Sequence, residues 1–246
     1  MIPQLMRARP FLPERIWRAA RDLYWRNFWM RETTAQREQI GSTAPPLAGS
    51  ERAALIEAIA DRYPFKTALE IGSGFGQNGT ILGPIFPRAA FTGIDPDFSS
   101  LEQGRRILSL QGINNVTLVQ AFAEDLSRFP PAGFELVFSC AALLYLGPEQ
   151  IERAAAEMIR VCAAPGRGIV LMEQHESGGN WAGRRVEREQ ASSGYGAPTG
   201  YWIRDYAELF RRAAPGRNVT VRPVINPVWT VEQWKSFAAL IEVEVS

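Results

Sequence analysis

Histidine, cysteine and lysine are scarce in this chain, and each scarcity removes a class of function. Among 246 residues there is one histidine, His175, two cysteines, Cys140 and Cys162, and two lysines, Lys66 and Lys235. A catalytic metal of the zinc type needs about three converging Cys, His or carboxylate ligands, so no metal site is expected. The cysteines fall singly in an expected strand and an expected helix and read as buried free thiols of a reducing, cytoplasmic compartment. No run approaches the roughly 18 apolar residues of a membrane span, and the first residues lack the apolar stretch of a signal peptide. A net charge of +1 supplies no global field toward nucleic acid, and no nucleic-acid partner is expected. The charge is uneven, however. Residues 1–40 carry eight arginines against four acids, leaving +4 there and −3 in the remainder. The length suits one α/β domain with a sizeable core.

What is present is concentrated in Thr67-Ala68-Leu69-Glu70-Ile71-Gly72-Ser73-Gly74-Phe75-Gly76, an apolar strand leading to an acid and three alternating glycines. Glycine at every second position lets the backbone turn sharply and lets a ligand approach the main chain. A dinucleotide fingerprint, G-x-G-x-x-G, would need glycine where Gln77 stands. Downstream, Gln77 to Phe86 reads as a helix closed by Pro87, and Ala90–Asp95 as a second strand ending in a carboxylate. Asp95 follows Glu70 by 25 residues, close to the spacing at which such units place an acid on ribose hydroxyls. Pro96 and Asp97 open the next helix.

Strand, acid-x-G-x-G-x-G, helix, strand and acid in this register resemble motif I and its continuation in class I S-adenosylmethionine (SAM) dependent methyltransferases. The resemblance covers residues 50–246. It implies an α/β fold with a Rossmann-like, seven-stranded methyltransferase sheet, mostly parallel with an antiparallel edge and helices on both faces. It implies SAM as cofactor, with Glu70, Gly72, Ser73, Gly74 and Gly76 around its methionine part, and Asp95, followed by Pro96, at its ribose. Many members carry acid-Ala after the third strand, where the acid meets the adenine amine. Here the pair is Phe122-Ala123, followed by Glu124 and Asp125. Two readings stay open: the carboxylate has moved to Glu124 or Asp125 with Phe122 on the adenine face, or Phe122 is core and main-chain groups near Ala123 hold the adenine.

The remaining pattern alternates as a parallel sheet with crossover helices should. Phe98–Gln111, Pro148–Cys162 and Asp205–Ala213 read as helices. Val116–Ala121, Phe134–Cys140, Gly168–Glu173, Asn218–Val224 and Leu240–Val245 read as strands. The stretch between Glu173 and Asp205 reads as irregular.

Methyl transfer from a sulfonium mainly requires positioning, and a hydroxyl acceptor also benefits from a base. His175, just past the fifth strand, is the candidate base, against the alternative of a loop histidine that caps a helix or faces solvent. Glu173 either orients that imidazole, binds substrate hydroxyls, or satisfies nearby backbone donors. The Asn/Asp-Pro-Pro-Tyr/Phe segment of amino-group methyltransferases is absent after the fourth strand. Ser139-Cys140-Ala141-Ala142-Leu143-Leu144-Tyr145-Leu146 stands there instead, resembling small-molecule enzymes, with Tyr145 as a wall of the acceptor pocket. A lid insertion is expected over residues 177–204, where Trp181 and Tyr201 face the acceptor and Arg184, Arg185, Arg188 and Arg204 either clamp a phosphate or carboxylate or are solvated or paired with Glu187 and Glu189. Residues 1–49 are expected to form a helical cap segment. Within it Trp17, Tyr24 and Phe28 share a helical face, which reads as a cover for the site, a peripheral membrane contact or a homodimer contact. The expectation is a cytoplasmic methyltransferase acting on a small-molecule or saccharide acceptor at oxygen. The alternatives are a nitrogen methyltransferase of a small metabolite and a catalytically silent SAM-binding protein.

Overall fold

The computed structural model describes residues 50–162, 167–186, 201–224 and 238–245. The N-terminal segment with Trp17, Tyr24 and Phe28, and Glu187, Arg188 and Glu189 of the expected lid, lie outside them. The elements are α1 (Ser50–Ala60), β1 (Thr67–Ile71), α2 (Gln77–Ile85), β2 (Ala90–Asp95), α3 (Phe98–Leu110), β3 (Val116–Gln120), β4 (Leu136–Cys140), α4 (Pro148–Val161), β5 (Arg167–Gln174), β6 (Arg184–Val186), β7 (Tyr201–Ile203), α5 (Tyr206–Ala213), β8 (Val219–Pro223) and β9 (Ala238–Val245). A single 3-10 turn, Leu143–Tyr145, follows β4.

Seven strands form one sheet in the order β3-β2-β1-β4-β5-β9-β8. The first five are mutually parallel, and β9 runs antiparallel to both β5 and β8. This is the expected seven-stranded sheet, mostly parallel with an antiparallel edge. The central strands β1, β4 and β5 are buried on both sides because helices cover both faces. Leu69, Ile71, Val137, Ile169 and Leu171 pack on one face with Ile151 and Met158 of α4 and Phe210 of α5. Their neighbours Ala68, Leu136, Phe138, Val170 and Met172 pack on the other with Leu55 and Ile59 of α1, Leu82 of α2 and Leu101 of α3. The alternation is the period of two of a pleated strand. Each fully buried Leu, Ile or Phe contributes about 1.5–3 kcal/mol, so Phe138→Ala removes one of the larger single contributions.

Helix ends follow local chemistry. Asp97 caps α3, its carboxylate accepting from the Ser99 N–H at 3.0 Å, the Ser100 N–H at 3.3 Å and the Ser100 hydroxyl at 2.6 Å. Asp205 caps α5 by accepting from the Glu208 N–H at 2.9 Å. Pro148 sits in the first turn of α4, where a missing N–H costs nothing.

Two expectations need correction. Phe134 does not belong to β4, and joins only through an isolated bridge to Cys162. The stretch between β5 and α5 is not wholly irregular: β6 and β7 pair as an antiparallel ribbon, Arg184 opposite Ile203 and Val186 opposite Tyr201. Three polar or half-exposed residues give no alternation to detect, which hid β6 in the pattern. Among the described residues no helix is long and apolar enough to cross a membrane.

Candidate functional site

The chain leaves β1 toward β2 on one side of the sheet and leaves β4 toward β5 on the other, so the connections diverge at the C-terminal ends of β1 and β4. Such a switch point opens a crevice where ligands of open α/β sheets bind. The loop after β1 enters it with Gly72, Gly74 and Gly76 all left-handed, at φ 74°, 54° and 77°. The N–H groups of Gly72 and Ser73 both donate to the Ile94 carbonyl at 2.8 Å, folding the loop over β2. Two of these glycines are required for different reasons. A Cβ on Gly72 would stand 2.2 Å from the Ala142 Cβ, so the loop after β1 touches the loop after β4 there. A Cβ on Gly74 would meet nothing within 4 Å, so that side faces open space.

Asp95 ends β2 beside this loop. Its Oδ2 accepts the Gly74 N–H at 2.9 Å and its Oδ1 the Asp97 N–H at 2.9 Å. Loss of solvent pushes its carboxyl up to about 6, the two N–H donors oppose the rise, and the Asp97 carboxylate adds to it. Glu70 is buried and accepts from the Asn78 Nδ2 at 2.7 Å, which ties β1 to α2. Ser73 is buried beside Gly93, its hydroxyl without a partner, and the Pro96 carbonyl accepts from the Gln120 side chain at 2.9 Å. After β3, Phe122 pairs with Asp125 in a tight turn, and Ala123 is half-buried against the core. Glu124 accepts from Gln150 at the start of α4 at 3.3 Å, and Asp125 from the Ser127 hydroxyl at 2.7 Å.

The loops after β4 and β5 are held by buried side chains. Ala141 adopts φ 52°, a strained value for a residue with a Cβ and one not anticipated from the sequence. Glu173 is buried and turned on that turn. Its Oε1 accepts from the Ser139 hydroxyl at 2.7 Å and from the Ala142 and Leu143 N–H groups at 3.0 Å, and its Oε2 from the Leu144 N–H at 3.3 Å. Burial raises its carboxyl above the usual range while those donors pull it back. Of the roles open to Glu173, the backbone-donor role is the one its bonds describe. The turn it holds carries Leu144 and Tyr145 against Tyr201, Ile203 and Val186 of the ribbon. Two residues expected at the acceptor, Tyr145 and Tyr201, are thereby brought together.

His175 is buried, and burial lowers its pKa. Its Nδ1 lies 3.3 Å from the Tyr206 N–H at the start of α5, and its Nε2 3.1 Å from the Ser177 hydroxyl. An acceptor Nδ1 assigns the neutral ring's proton to Nε2, so its lone pair is directed at the helix. That is the helix-capping alternative rather than the geometry of a free base. Asp205 secures the same corner, its Oδ2 accepting from the Gly178 and Gly179 N–H groups at 3.0 and 2.9 Å. Burial works against its charge, yet its three N–H donors hold its pKa below the usual value. Two expected acceptor residues lie apart from the apolar wall. Trp181 packs on the core side with Arg212 5.0 Å from its ring, and Arg184 forms an exposed ion pair with Glu176 at 2.7 Å.

Residues 68–166 match the family model described as a methyltransferase domain. Over these residues the chain carries a methyltransferase domain. Its match covers the glycine loop, Asp95 and the turn after β4, the elements that meet in the crevice. The fold of this methyltransferase domain recurs in known structures. One is a Burkholderia thailandensis 1,6-didemethyltoxoflavin-N1-methyltransferase with bound 1,6-didemethyltoxoflavin and S-adenosylhomocysteine (16% identity, 91% of this chain and 90% of that one, TM-score 0.61). Another is the PH0226 protein from Pyrococcus horikoshii OT3 (14% identity, 79% and 90%, TM-score 0.59). A third comes from the complex of the Haloferax volcanii Trm112 methyltransferase activator with a putative methyltransferase (15% identity, 78% and 88%, TM-score 0.55). No curated protein sequence matches the chain.

The residues of the methyltransferase domain fit its cofactor. The open side of Gly74 is a cradle that any larger residue would fill, and each Asp95 oxygen accepts only one backbone bond, which leaves lone pairs for hydroxyl donors.

Proposed function

We propose that this methyltransferase domain transfers the methyl group of SAM to a small-molecule acceptor, saccharides included. When bound, SAM supplies an electrophilic methyl carbon on a sulfonium. In this reading the loop from Gly72 to Gly76, backed by Glu70, receives the methionine part through the open side of Gly74. Asp95, with Pro96 behind it, accepts from the ribose hydroxyls, and Phe122, Ala123 and Glu124 border the adenine. Leu144, Tyr145, Tyr201, Ile203 and Val186 wall the acceptor.

The observation that carries the small-molecule reading is the turn after β4. Where amino-group enzymes of macromolecules have polar and proline acceptors for the target amine, this chain has an apolar 3-10 turn sealed to the ribbon. Such a wall suits a compact, partly apolar acceptor. Holding that acceptor against the cofactor supplies several kcal/mol by positioning.

Oxygen is the acceptor atom expected from the resemblance, and it requires a route for the proton. The lone pair of His175 is engaged by the Tyr206 N–H, so a hydroxyl acceptor of low pKa, one that ionises without help, suits this site best. The same engagement favours a second reading, a nitrogen acceptor that attacks with its own lone pair, and the Burkholderia relative is named as an N1-methyltransferase. A panel of small phenols, sugars and amines assayed with labelled SAM tests the proposal. Methylated products are expected, and a pH–rate profile that follows the acceptor's own pKa would mark nitrogen or an acidic hydroxyl. Tight SAM binding with no transfer to any of them would support a silent SAM-binding protein instead.

A further inference from the structure

The polar groups left over on the acceptor side gather at Arg204, between β7 and α5. Its side chain is buried at 1% exposure. Nη2 donates to the Leu146 carbonyl, at the end of the turn that follows β4, while Nε and Nη1 are buried without a partner. The Tyr206 hydroxyl is likewise buried and without a partner. The guanidinium carbon lies 5.7 Å from the centre of the Tyr206 ring and 5.9 Å from that of Trp202. Gly183, at φ 87°, lies so close above that a Cβ there would stand 3.1 Å from the Arg204 Cβ and 3.4 Å from Nε.

Each of these three unpartnered atoms can donate a hydrogen bond. A buried donor with no acceptor is costly, a charged one most of all. Glu173 is the carboxylate whose field both Arg204 and Tyr206 feel. It does not satisfy their hydrogen bonds, because its oxygens are turned on Ser139 and on the N–H groups of Ala142, Leu143 and Leu144. Glu173 therefore leaves the donor directions of Arg204 and Tyr206 uncommitted. A guanidinium between two aromatic rings, with unpartnered N–H groups near a tyrosine whose hydroxyl is also unpartnered, is suited to a group that offers acceptors only.

We infer that Arg204 and Tyr206 receive an oxyanion of the acceptor, a carboxylate or a phosphate, so that the molecule methylated is acidic. This rests on the small-molecule reading above and names the class of substrate within it. Arg204 directly follows the strand that supplies Tyr201 and Ile203 to the apolar wall, and it grips Leu146 at the end of the turn that carries Tyr145. An acid bound there lies beside that wall, and its entry requires the tight backbone at Gly183 to shift.

The test titrates the full-length protein, saturated with S-adenosylhomocysteine, with benzoate and with inorganic phosphate by calorimetry, and with benzamide as the uncharged control. One of the two anions is expected to bind and benzamide is not, which also separates carboxylate from phosphate. Arg204→Lys is expected to weaken that binding at least about tenfold, since it removes charge-assisted donors. Tyr206→Phe is expected to weaken it severalfold with an unchanged melting temperature, because the hydroxyl it deletes has no partner to lose. If Arg204→Lys does not fold, Tyr206→Phe and benzamide decide. Failure of both anions to bind wild type, or binding that survives in Tyr206→Phe unchanged and extends to benzamide, overturns the inference. S-adenosylhomocysteine binding in the same samples keeps the two readings apart. Its presence without anion binding sinks only the acidic acceptor, whereas its absence sinks the methyltransferase site itself.

Discussion

The loops after β1 and β2 and the loops after β4 and β5 meet at one crevice, but they are held in opposite ways. The first pair is shaped by backbone: left-handed glycines, two N–H groups on the Ile94 carbonyl, and an open side at Gly74. The second pair is shaped by buried polar side chains that reach across the fold, with Glu173 on the turn after β4, His175 and Asp205 at the start of α5, and Arg204 on Leu146. In the proposed reading a cofactor common to many enzymes would be served by main-chain geometry that needs few specific side chains. In the same reading an acceptor particular to one enzyme would meet a wall whose shape depends on a handful of buried charges.

The largest test of that contrast removes one of those charges. Glu173→Leu leaves three backbone N–H groups and the Ser139 hydroxyl unmatched in the core and should cost about 3–5 kcal/mol in urea unfolding. A Leu variant as stable as wild type would remove the claim that buried charge holds the acceptor side. Next come the two glycines. Gly72→Ala drives a Cβ into Ala142 and should cost about 2–4 kcal/mol, as an overpacked contact plus left-handed strain, whereas Gly74→Ala meets only open space and should cost about 1 kcal/mol. Equal melting temperatures for the pair would contradict the distinction drawn between them.

Asp95 gives a pH-dependent test on the cofactor side. In the proposed site the ribose hydroxyls would donate to the ionised carboxylate, so that binding would compete with its proton. With its pKa raised to about 6, SAM affinity should be flat above pH 7 and fall by up to about tenfold per unit below 6. Asp95→Asn should bind more weakly throughout and lose the slope, and an unchanged pH profile in that variant would assign the titration elsewhere. The smallest effect is expected at His175. His175→Gln should cost about 1 kcal/mol and slow methyl transfer less than tenfold, whereas loss of a general base would slow it about 10²- to 10⁴-fold. Burial lowers this histidine's pKa, so the unfolded chain takes the proton first. Its contribution to stability is therefore present above about pH 6.5 and fades as the pH falls toward the folded value, a slope the Gln variant should lack.

The same division governs what the sequence discloses. Glu70, the glycine loop and Asp95 follow one another within a single strand-turn-helix-strand unit, so their register is local and can be read from the chain. The parallel strands are apolar on both faces and stand out for the same reason. The bonds from Glu173 to Leu144, 29 residues apart, and from His175 to Tyr206, 31 apart, depend on which loops the sheet order brings together, and no local pattern encodes them. His175 stands out as the single histidine of the chain, beside a sheet edge of the kind that binds ligands, but chemical type alone does not say where its lone pair points. The ribbon is hidden because β6 is short and polar, and the strain at Ala141 because alanine carries no preference for a left-handed turn.

Calorimetric titration of SAM into wild type and Gly74→Val bears most directly on the cofactor site. The open side of Gly74 predicts saturable one-to-one binding in wild type and its loss in a folded Gly74→Val protein. Equal SAM affinity in the two proteins would contradict the site.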